Sequence, residues 1–214
     1  MKPKSVILLS GGLDSTVSAT IARRRTRPLF ALTFDYGQRA AKMEVAASRK
    51  ISQILKIKHK VVRLPFFAEF SSSMLSRAKK ISVNRFSKIK DLWLPNRNGL
   101  FINIAACYAE YYGAEIVVTG FNLEEAREFP DNSASFINAV NKSLRFGTLS
   151  RVTVKSYVST LTKKEIYDLG LRSSAPLELV YSCYLGRQKM CGKCASCKRL
   201  IEASRCSREK CENV

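Results

Sequence analysis

Short apolar runs alternate along the chain with longer segments whose apolar residues recur at helical spacing. The short runs, rich in β-branched residues, predict buried strands at residues 5–9, 29–34, 59–64, 115–119 and 151–158. The longer segments predict helices directly after the first strand and at residues 40–55, 99–112, 135–144 and 162–170. Strands that alternate with helices in this way are typical of an α/β fold, a parallel sheet with helices on both faces.

The turn after the first strand reads Ser10-Gly11-Gly12-Leu13-Asp14-Ser15. Adjacent glycines let the backbone approach a ligand closely, and the following helix offers unpaired N–H groups and the positive end of its dipole. The turn therefore predicts a phosphate-binding loop; its residues are Leu9, Ser10, Gly11, Gly12, Leu13, Asp14, Ser15 and Thr16. It matches neither a Walker A loop nor a dinucleotide-binding fingerprint. The alternative is an ordinary glycine-rich turn in which Asp14 caps the helix.

Polar residues also follow two other predicted strands. The segment 35–39, Asp-Tyr-Gly-Gln-Arg, comes after the second strand, and Phe129-Pro130-Asp131 follows the fourth. Carboxyl ends of parallel strands meet at one edge of the sheet, where open α/β folds bind their ligands. Residues 65–90 have no clear periodicity, which fits either a mobile lid beside the nucleotide or a plain surface excursion.

The size of the chain fits one domain with a small appendage. Its 214 residues are 46% hydrophobic, enough for a packed core. We predict an α/β domain at residues 1–173 and a C-terminal segment at 174–214 packed on it. No run of 18 apolar residues occurs, so no membrane association is expected. The first strand begins too early to leave room for a signal peptide, which predicts a cytoplasmic protein.

Basic residues outnumber acidic ones, 37 to 17, and give a net charge of +20. This balance favours anionic partners such as nucleotides or RNA, but the charges are scattered, so a solvated basic surface is preferred over a specific nucleic-acid site. His59 is the only histidine, which excludes sites built on several histidines. We expect it to be structural.

Four of the seven cysteines follow the pattern C-x7-C-x2-C-x2-C; they are Cys183, Cys191, Cys194 and Cys197. Cys-x2-Cys steps let two thiolates reach one tetrahedral ion, and the absence of a nearby histidine predicts an all-cysteine, structural Zn²⁺ site. An iron–sulfur cluster is the alternative, because four cysteines also suit iron. Cys206 and Cys211 fall outside the spacing and are predicted to be free thiols, and Cys107 is predicted to be a core residue.

Together these motifs resemble one family. In chain order they are the turn at 10–15, Phe34-Asp35-Tyr36-Gly37-Gln38-Arg39, Pro95-x-Arg97-Asn98, Phe129-Pro130-Asp131, Ser182-Cys183-Tyr184 and the cysteine cluster. The turn alone resembles the loop of the N-type ATP pyrophosphatases (the PP-loop superfamily). The whole set, from Ser5 to Leu200, is similar to the 7-cyano-7-deazaguanine synthases of queuosine and archaeosine biosynthesis. Ala40, Asn96 and Asn132 depart from the family pattern and leave the choice of deazapurine open.

The resemblance implies an adenine nucleotide α-hydrolase-like, Rossmann-like fold and a carbon–nitrogen ligase. Its substrates would be 7-carboxy-7-deazaguanine, ammonia and ATP with Mg²⁺. The implied catalytic residues are Asp14, Ser15, Lys163 and Arg97, and the implied substrate-binding residues are Tyr36, Gln38, Arg39, Phe129 and Asp131. We expect that tRNA is not required, and a homo-oligomer is allowed.

Two other functions remain open at this stage. One is a tRNA-modifying enzyme of the same superfamily that acts directly on tRNA, although the chain has no obvious RNA-binding domain. The other is a non-enzymatic basic zinc module that binds nucleic acid, against which the intact phosphate loop argues.

Overall fold

Residues 1–69 and 92–211 are described in a computed structural model of the chain. The strands are β1 (Lys4–Leu8), β2 (Arg27–Asp35), β3 (Lys58–Arg63), β4 (Ile116–Thr119) and β5 (Thr153–Ser156). Within the described residues they form one sheet of order β3-β2-β1-β4-β5 in which every pair is parallel. The prediction of a parallel α/β sheet is therefore confirmed.

Seven α-helices are present in the described part of the chain. They are α1 (Leu13–Arg25), α2 (Ala41–Ile54), α3 (Arg97–Tyr111), α4 (Leu123–Glu128), α5 (Ala134–Gly147), α6 (Lys163–Arg172) and α7 (Ala195–Cys211). Short 3₁₀ turns lie at Pro65–Glu69, Pro130–Asn132 and Leu177–Leu179. The sequence Thr162-Lys163-Lys164-Glu165 begins α6 and forms a capping box, with Thr162 and Glu165 bonded reciprocally.

The helices cover both faces of the sheet, as predicted. Val6 packs in one core cluster with residues of α3 and α5, whereas its neighbour Ile7 packs in a second cluster with residues of α1 and α2. Consecutive residues of a strand point to opposite faces, so a continuous apolar run in β1 supplies both cores. The chain passes from β3 at one edge to β4 on the other side of β1. This reversal of strand order opens a crevice at the carboxyl ends of β1 and β4.

Some predicted boundaries differ from those observed. The fifth strand was predicted over 151–158 but spans only Thr153–Ser156, because Arg151 has a left-handed backbone (φ 54°) and the chain turns after Ser156. Helix α7 was not predicted. Cys107 was predicted to lie in the core and is exposed, because α3 turns Ile102, Ala105 and Ala109 toward the sheet instead.

Other predictions lie partly or wholly outside the described residues. Of the region predicted as a lid or surface excursion, 65–69 is a 3₁₀ turn and 70–90 falls outside the described ranges. The side chains of Cys206 and Cys211 are likewise not described. Along the residues the structure covers, none of the helices is both long enough and apolar enough to cross a membrane.

Candidate active site and metal centre

The predicted site residues converge on one cavity of about 280 Å³ at the carboxyl ends of β1, β2 and β4. The cavity is lined by residues from segments far apart in the chain; those predicted from sequence are Leu9, Ser10, Gly12, Leu13, Asp14, Ser15, Tyr36, Gln38, Arg39, Arg97, Phe129 and Lys163. A cavity that joins a helix N-terminus to aromatic and charged side chains is suited to a ligand with a phosphate end and a ring end.

The phosphate loop is held in shape by its own hydroxyl groups. Ser10 Oγ lies 3.0 Å from Ser15 Oγ, and Ser15 Oγ donates to the Gly12 carbonyl at 3.1 Å. Gly11 has φ +79°, and a Cβ there would lie 2.9 Å from Cβ of Ala47 in α2, so only glycine fits. A Cβ on Gly12 would meet nothing closer than 3.5 Å. Gly12 therefore leaves open space where α1 begins.

Two predicted loop residues lie behind the loop. Thr16 is fully buried and donates to the Gly12 carbonyl at 2.7 Å, and Gly11 faces α2. Neither is among the residues that line the cavity. Both shape the loop, so their predicted part in nucleotide binding would be indirect.

Gly120, which directly follows β4, was not singled out from the sequence as a site residue. A Cβ at this position would lie 2.6 Å from the Ser15 backbone nitrogen and 2.8 Å from Ser15 Cα. Only glycine lets the end of β4 approach the start of α1 this closely. A glycine directly after a strand was the available signal.

Lys163 is clamped between two carboxylates. Its ammonium group pairs with Asp14 Oδ2 and, at 2.7 Å, with Glu125 Oε1. Burial raises the pKa of Asp14 to about 6, although the Lys163 charge opposes the shift. Burial also acts to raise the pKa of Glu125, but the Lys163 ammonium outweighs it and holds that pKa below its usual value. Asp14 Oδ1 is buried and has no hydrogen-bond partner.

Glu125 is a site residue that the sequence analysis missed. It lies in the first turn of α4, where Asn122 Oδ1 accepts its backbone N–H at 3.0 Å, and it lines the cavity. Glu124 accepts the backbone N–H of Lys163 at 2.7 Å. The N-termini of α4 and α6 are thereby joined, which aims the Lys163 side chain into the cavity.

On the opposite wall, Arg97 Nη1 donates to Tyr36 Oη at 3.3 Å, and the guanidinium carbon lies 5.7 Å from the Tyr36 ring centroid. Burial acts to lower the pKa of Arg97, but the nearby Tyr36, Asp131 and Glu44 raise it above the usual value. The cation is therefore held permanently at the cavity wall.

Gln38 lines the cavity, but its amide group bonds to the protein. Its Oε1 accepts the Tyr36 N–H at 2.9 Å, and its Nε2 donates to the Phe34 carbonyl at 2.9 Å and to Glu44 Oε2 at 2.7 Å. These bonds fix the turn that carries Tyr36. A direct contact between Gln38 and a substrate stays a prediction.

Asp131 is 8% exposed, and Asn132 rather than Asp131 is among the described residues that line the cavity. Burial raises the pKa of Asp131, and Arg97 opposes the shift. Asn132 Nδ2 donates to Asp131 Oδ1 at 3.2 Å.

Asn96, another departure from the family pattern, has φ 50° at the start of α3, a conformation that Gly or Asn adopts most readily. This departure therefore has a backbone explanation.

The four predicted metal ligands lie together. The sulfur atoms of Cys183, Cys191, Cys194 and Cys197 are all within 4.8 Å of one another. Cys191 Sγ is 3.9 Å from Cys197 Sγ, close to the ~3.8 Å edge of a tetrahedron with Zn–S bonds of about 2.3 Å. Such a group suits one ion, whereas in a four-iron cluster each cysteine binds a different iron and the sulfurs stand further apart.

Backbone N–H groups support the cysteine sulfurs. Lys193 and Cys194 donate to Cys191 Sγ at 3.4 and 3.3 Å, and Cys191 donates to Cys183 Sγ at 3.4 Å. Burial acts to raise the pKa of Cys191, but these donors lower it to about 7. The amide groups therefore favour the thiolate form that a metal requires.

The cysteine segment also contacts the phosphate loop. Tyr181 N donates to the Gly11 carbonyl at 2.9 Å, and the Tyr184 and Ser182 side chains line the cavity. Gly186 lies against the turn after β2, where an added Cβ would be 2.1 Å from the Arg39 carbonyl oxygen. In α7, Arg199 pairs with Glu128 at 2.5 Å. The residues around the metal centre thus form one wall of the cavity.

Comparison with known proteins supports the resemblance seen in the motifs. A family model described as queuosine biosynthesis protein QueC matches residues 4–205. The 7-cyano-7-deazaguanine synthase of Pelotomaculum thermopropionicum is 44% identical over 213 residues, which cover 94% of this chain and 96% of that protein. The 7-cyano-7-deazaguanine synthase of Bdellovibrio bacteriovorus is 47% identical over 208 residues, covering 92% of this chain and 90% of that protein.

Solved structures share the fold. The U34-tRNA thiolase NcsA from Methanococcus maripaludis, solved with its 4Fe-4S cluster, superposes with a TM-score of 0.55 at 15% identity and covers 99% of this chain and 67% of that one. At this identity the likeness concerns the fold alone. Motifs, fold and relatives agree: the chain belongs to the family of the queuosine biosynthesis protein QueC, the 7-cyano-7-deazaguanine synthases.

Proposed function

We propose that this chain converts 7-carboxy-7-deazaguanine, ammonia and ATP to 7-cyano-7-deazaguanine. A carboxylate is a poor electrophile, so its oxygen is first adenylated and pyrophosphate leaves. Ammonia then displaces AMP and forms the amide. A second adenylation, at the amide oxygen, lets that oxygen leave with AMP as the nitrile forms. Both adenylations need a site that binds the phosphates of ATP at one end and the acyl or amide group of the substrate at the other.

The single observation that carries this proposal is that a phosphate loop and a half-buried cation, Arg97, face the same cavity. The N–H groups at the start of α1 would bind the phosphates of ATP, and Ser10 and Ser15 would orient them. Arg97 would hold the substrate carboxylate or the developing charge. Catalysis would be largely positioning and electrostatic stabilisation.

Lys163 would balance charge at the phosphate end. In the free protein it is paired with Asp14 and Glu125. When ATP binds, its phosphates would become a third anionic partner of the Lys163 ammonium group. Glu125 would then keep that ammonium group directed at the departing pyrophosphate. Glu125 thus acts as a positioning residue for Lys163.

The residues present fit a magnesium ion on the phosphates. Asp14 Oδ1 is a buried carboxylate oxygen without a hydrogen-bond partner, the kind of hard oxygen ligand that Mg²⁺ takes. Bound there with ATP, Mg²⁺ would neutralise part of the phosphate charge. Asp14 would hold it, and Ser15, the next residue on α1, lines the same part of the cavity.

The cysteine cluster fits a structural Zn²⁺. Four cysteine sulfurs close around one tetrahedral position and leave no vacant coordination site for a substrate. Zn²⁺ there would lock the segment that carries Tyr181, Ser182 and Tyr184. In this role the ion supports the cavity wall and takes no part in the chemistry.

The acceptor is proposed to be the free base, with tRNA not required. Tyr36, Gln38, Arg39, Phe129 and Asn132 contribute to the lining of a cavity of about 280 Å³, a volume that suits a small molecule rather than a folded RNA. The basic residues that give the net charge of +20 would bind RNA only non-specifically, and that binding would weaken steeply with salt.

The experiment is to incubate the protein with 7-carboxy-7-deazaguanine, ammonium and MgATP and to detect the nitrile by mass. We expect AMP and pyrophosphate to form with it, and the rate to be unchanged by added tRNA at near-physiological salt. Omission of ATP is the control. A requirement for tRNA, or product that forms only within tRNA, would favour the alternative of an enzyme that modifies tRNA directly.

A further inference from the structure

Two aromatic side chains, Phe129 in the cavity lining and Trp93 beside Phe129, have an unusual arrangement. The rings of Trp93 and Phe129 are parallel to within 1°, yet their centroids are 6.4 Å apart. By contrast, the core pair Phe34 and Phe101 stacks at 4.1 Å and 5°. The first pair is therefore parallel without being in close face-to-face contact, which leaves ring surface uncovered.

The position of this pair connects it to the site. Phe129 lines the cavity, as does Leu92, which precedes Trp93 in the chain. Both rings are only half-buried, so neither is committed to the core. Four residues after Trp93 comes Arg97, and three after Phe129 comes Asn132, and both of these also line the cavity.

We propose that Trp93 and Phe129 form an aromatic clamp that binds the flat deazapurine ring of the substrate. This rests on the proposed function, in which that ring bears the carboxylate that is adenylated. Because the two rings are parallel but their centroids are 6.4 Å apart, the faces do not fully cover each other, and each keeps ring surface on which a planar ring can stack. Stacking on Trp93 would cover the indole surface that is now exposed.

The neighbouring polar groups favour a deazaguanine over the adenine of ATP. Arg97 offers a cation to the carboxylate that the deazaguanine carries and adenine lacks. Asn132 lines the cavity three residues after Phe129, and its amide oxygen can accept a hydrogen bond from the N–H edge of a guanine-like ring. The ATP phosphates, by contrast, belong at the loop where α1 begins.

Trp93 is the only tryptophan in the chain, so intrinsic fluorescence reports directly on the clamp. We would titrate the full-length protein, without ATP, with 7-carboxy-7-deazaguanine and correct for absorbance with free tryptophan. Saturable quenching is expected with the deazaguanine. ATP alone should leave the emission nearly unchanged; stronger quenching by ATP would reassign the clamp to adenine and overturn the proposal.

Variants then test the clamp in turnover. Trp93→Ala and Phe129→Ala should each raise KM for the deazaguanine about tenfold or more while kcat falls less than about threefold, because base–aromatic stacking acts on binding. Trp93→Phe keeps a ring and should restore KM to within about threefold. Tyr111→Ala, at a residue that is 83% exposed on α3 and outside the cavity lining, is the matched control and should change nothing.

The clamp and the proposed function can fail separately. If wild-type protein makes the nitrile but shows no saturable quenching, or if Trp93→Ala keeps its KM, the clamp is wrong and the function stands. If quenching is saturable but no nitrile forms, the clamp stands as a base-binding site and the synthase reaction is wrong. If neither is seen, both are wrong.

Discussion

The phosphate loop and the cysteine cluster are joined by the hydrogen bond from Tyr181 to Gly11, but they differ in what their polar atoms bind. In the loop region, Asp14 leaves one buried oxygen without a partner. In the cluster, the four sulfurs face one another, and backbone N–H groups donate to Cys183 and Cys191. A buried carboxylate oxygen without a partner is available to a ligand that binds and dissociates. Four cysteine sulfurs that face one another would hold a structural ion permanently.

The largest effect is expected from Asp14→Ala, which removes the open carboxylate. Nitrile formation should fall about 1000-fold or more, since the carboxylate that would hold Mg²⁺ on the phosphates is lost. Stability should change by only about 1 kcal/mol, because Lys163 keeps Glu125 as its partner. Mass-detected product and thermal unfolding measure the two quantities.

Asp14→Asn is the matched control for shape. It keeps the size of the side chain and removes the charge, so we expect it to be nearly as inactive and fully folded. Near-normal turnover in either variant would mean that this loop does not bind the reacting phosphates.

The second prediction tests the cysteine cluster. Cys191→Ser should lose the metal and lower the free energy of unfolding by about 3 kcal/mol or more, about 10 °C in Tm for a chain of this size. Elemental analysis of the wild-type protein should give one zinc per chain. Cys107→Ser and Cys206→Ser, at cysteines outside the cluster, should leave the zinc content unchanged. Iron, or active protein without metal, would contradict a zinc site.

A glycine pair tests how tightly the loop region is packed. Gly120→Ala places a Cβ 2.6 Å from the Ser15 nitrogen, so the start of α1 must move, and KM for ATP should rise about tenfold. Gly147→Ala is the control, because a Cβ there meets nothing within 4 Å. Equal kinetics for the two variants would show that the loop tolerates displacement.

The smallest effect concerns pH. Burial raises the pKa of Asp14 from 3.8 to about 6, so between these values the folded protein binds more protons than the unfolded chain. The contribution of Asp14 to stability is therefore full below about pH 4 and is lost as the pH rises through 6, with a slope of at most about 1 kcal/mol per pH unit.

Urea unfolding from pH 4 to 7, compared between wild type and Asp14→Asn, isolates this slope. The variant should lack it. A wild-type curve that rises relative to the variant over this range would reverse the sign and indicate that Lys163 dominates the pKa of Asp14.

The sequence predicts the elements whose signal is local. The run before Ser10 predicts β1, the Thr162–Glu165 box predicts the start of α6, and the cysteine spacing predicts which sulfurs meet; each is observed. All of these depend on residues close together in the chain, where hydrophobic period or ligand spacing is decisive.

The features that the sequence did not predict depend on tertiary contact. Glu124 and Glu125 are adjacent in a short helix, and only the fold decides that Glu125 pairs with the Lys163 ammonium group while Glu124 accepts the Lys163 backbone N–H. The same holds for Gly120, whose need to be glycine comes from Ser15 on another element. Cys107 was placed in the core because its helix is apolar almost all round, so the pattern did not reveal which face is covered.

The hydrogen bond between Tyr181 and Gly11 has a consequence for how the protein is made. Gly11 is synthesised before β2 to β5, and its partner Tyr181 comes only after the whole sheet has been synthesised. A nascent chain that already contains β1 to β5 would still have an unanchored loop. Catalytic competence would therefore arise as a late event of biosynthesis, after the C-terminal segment has folded against the loop.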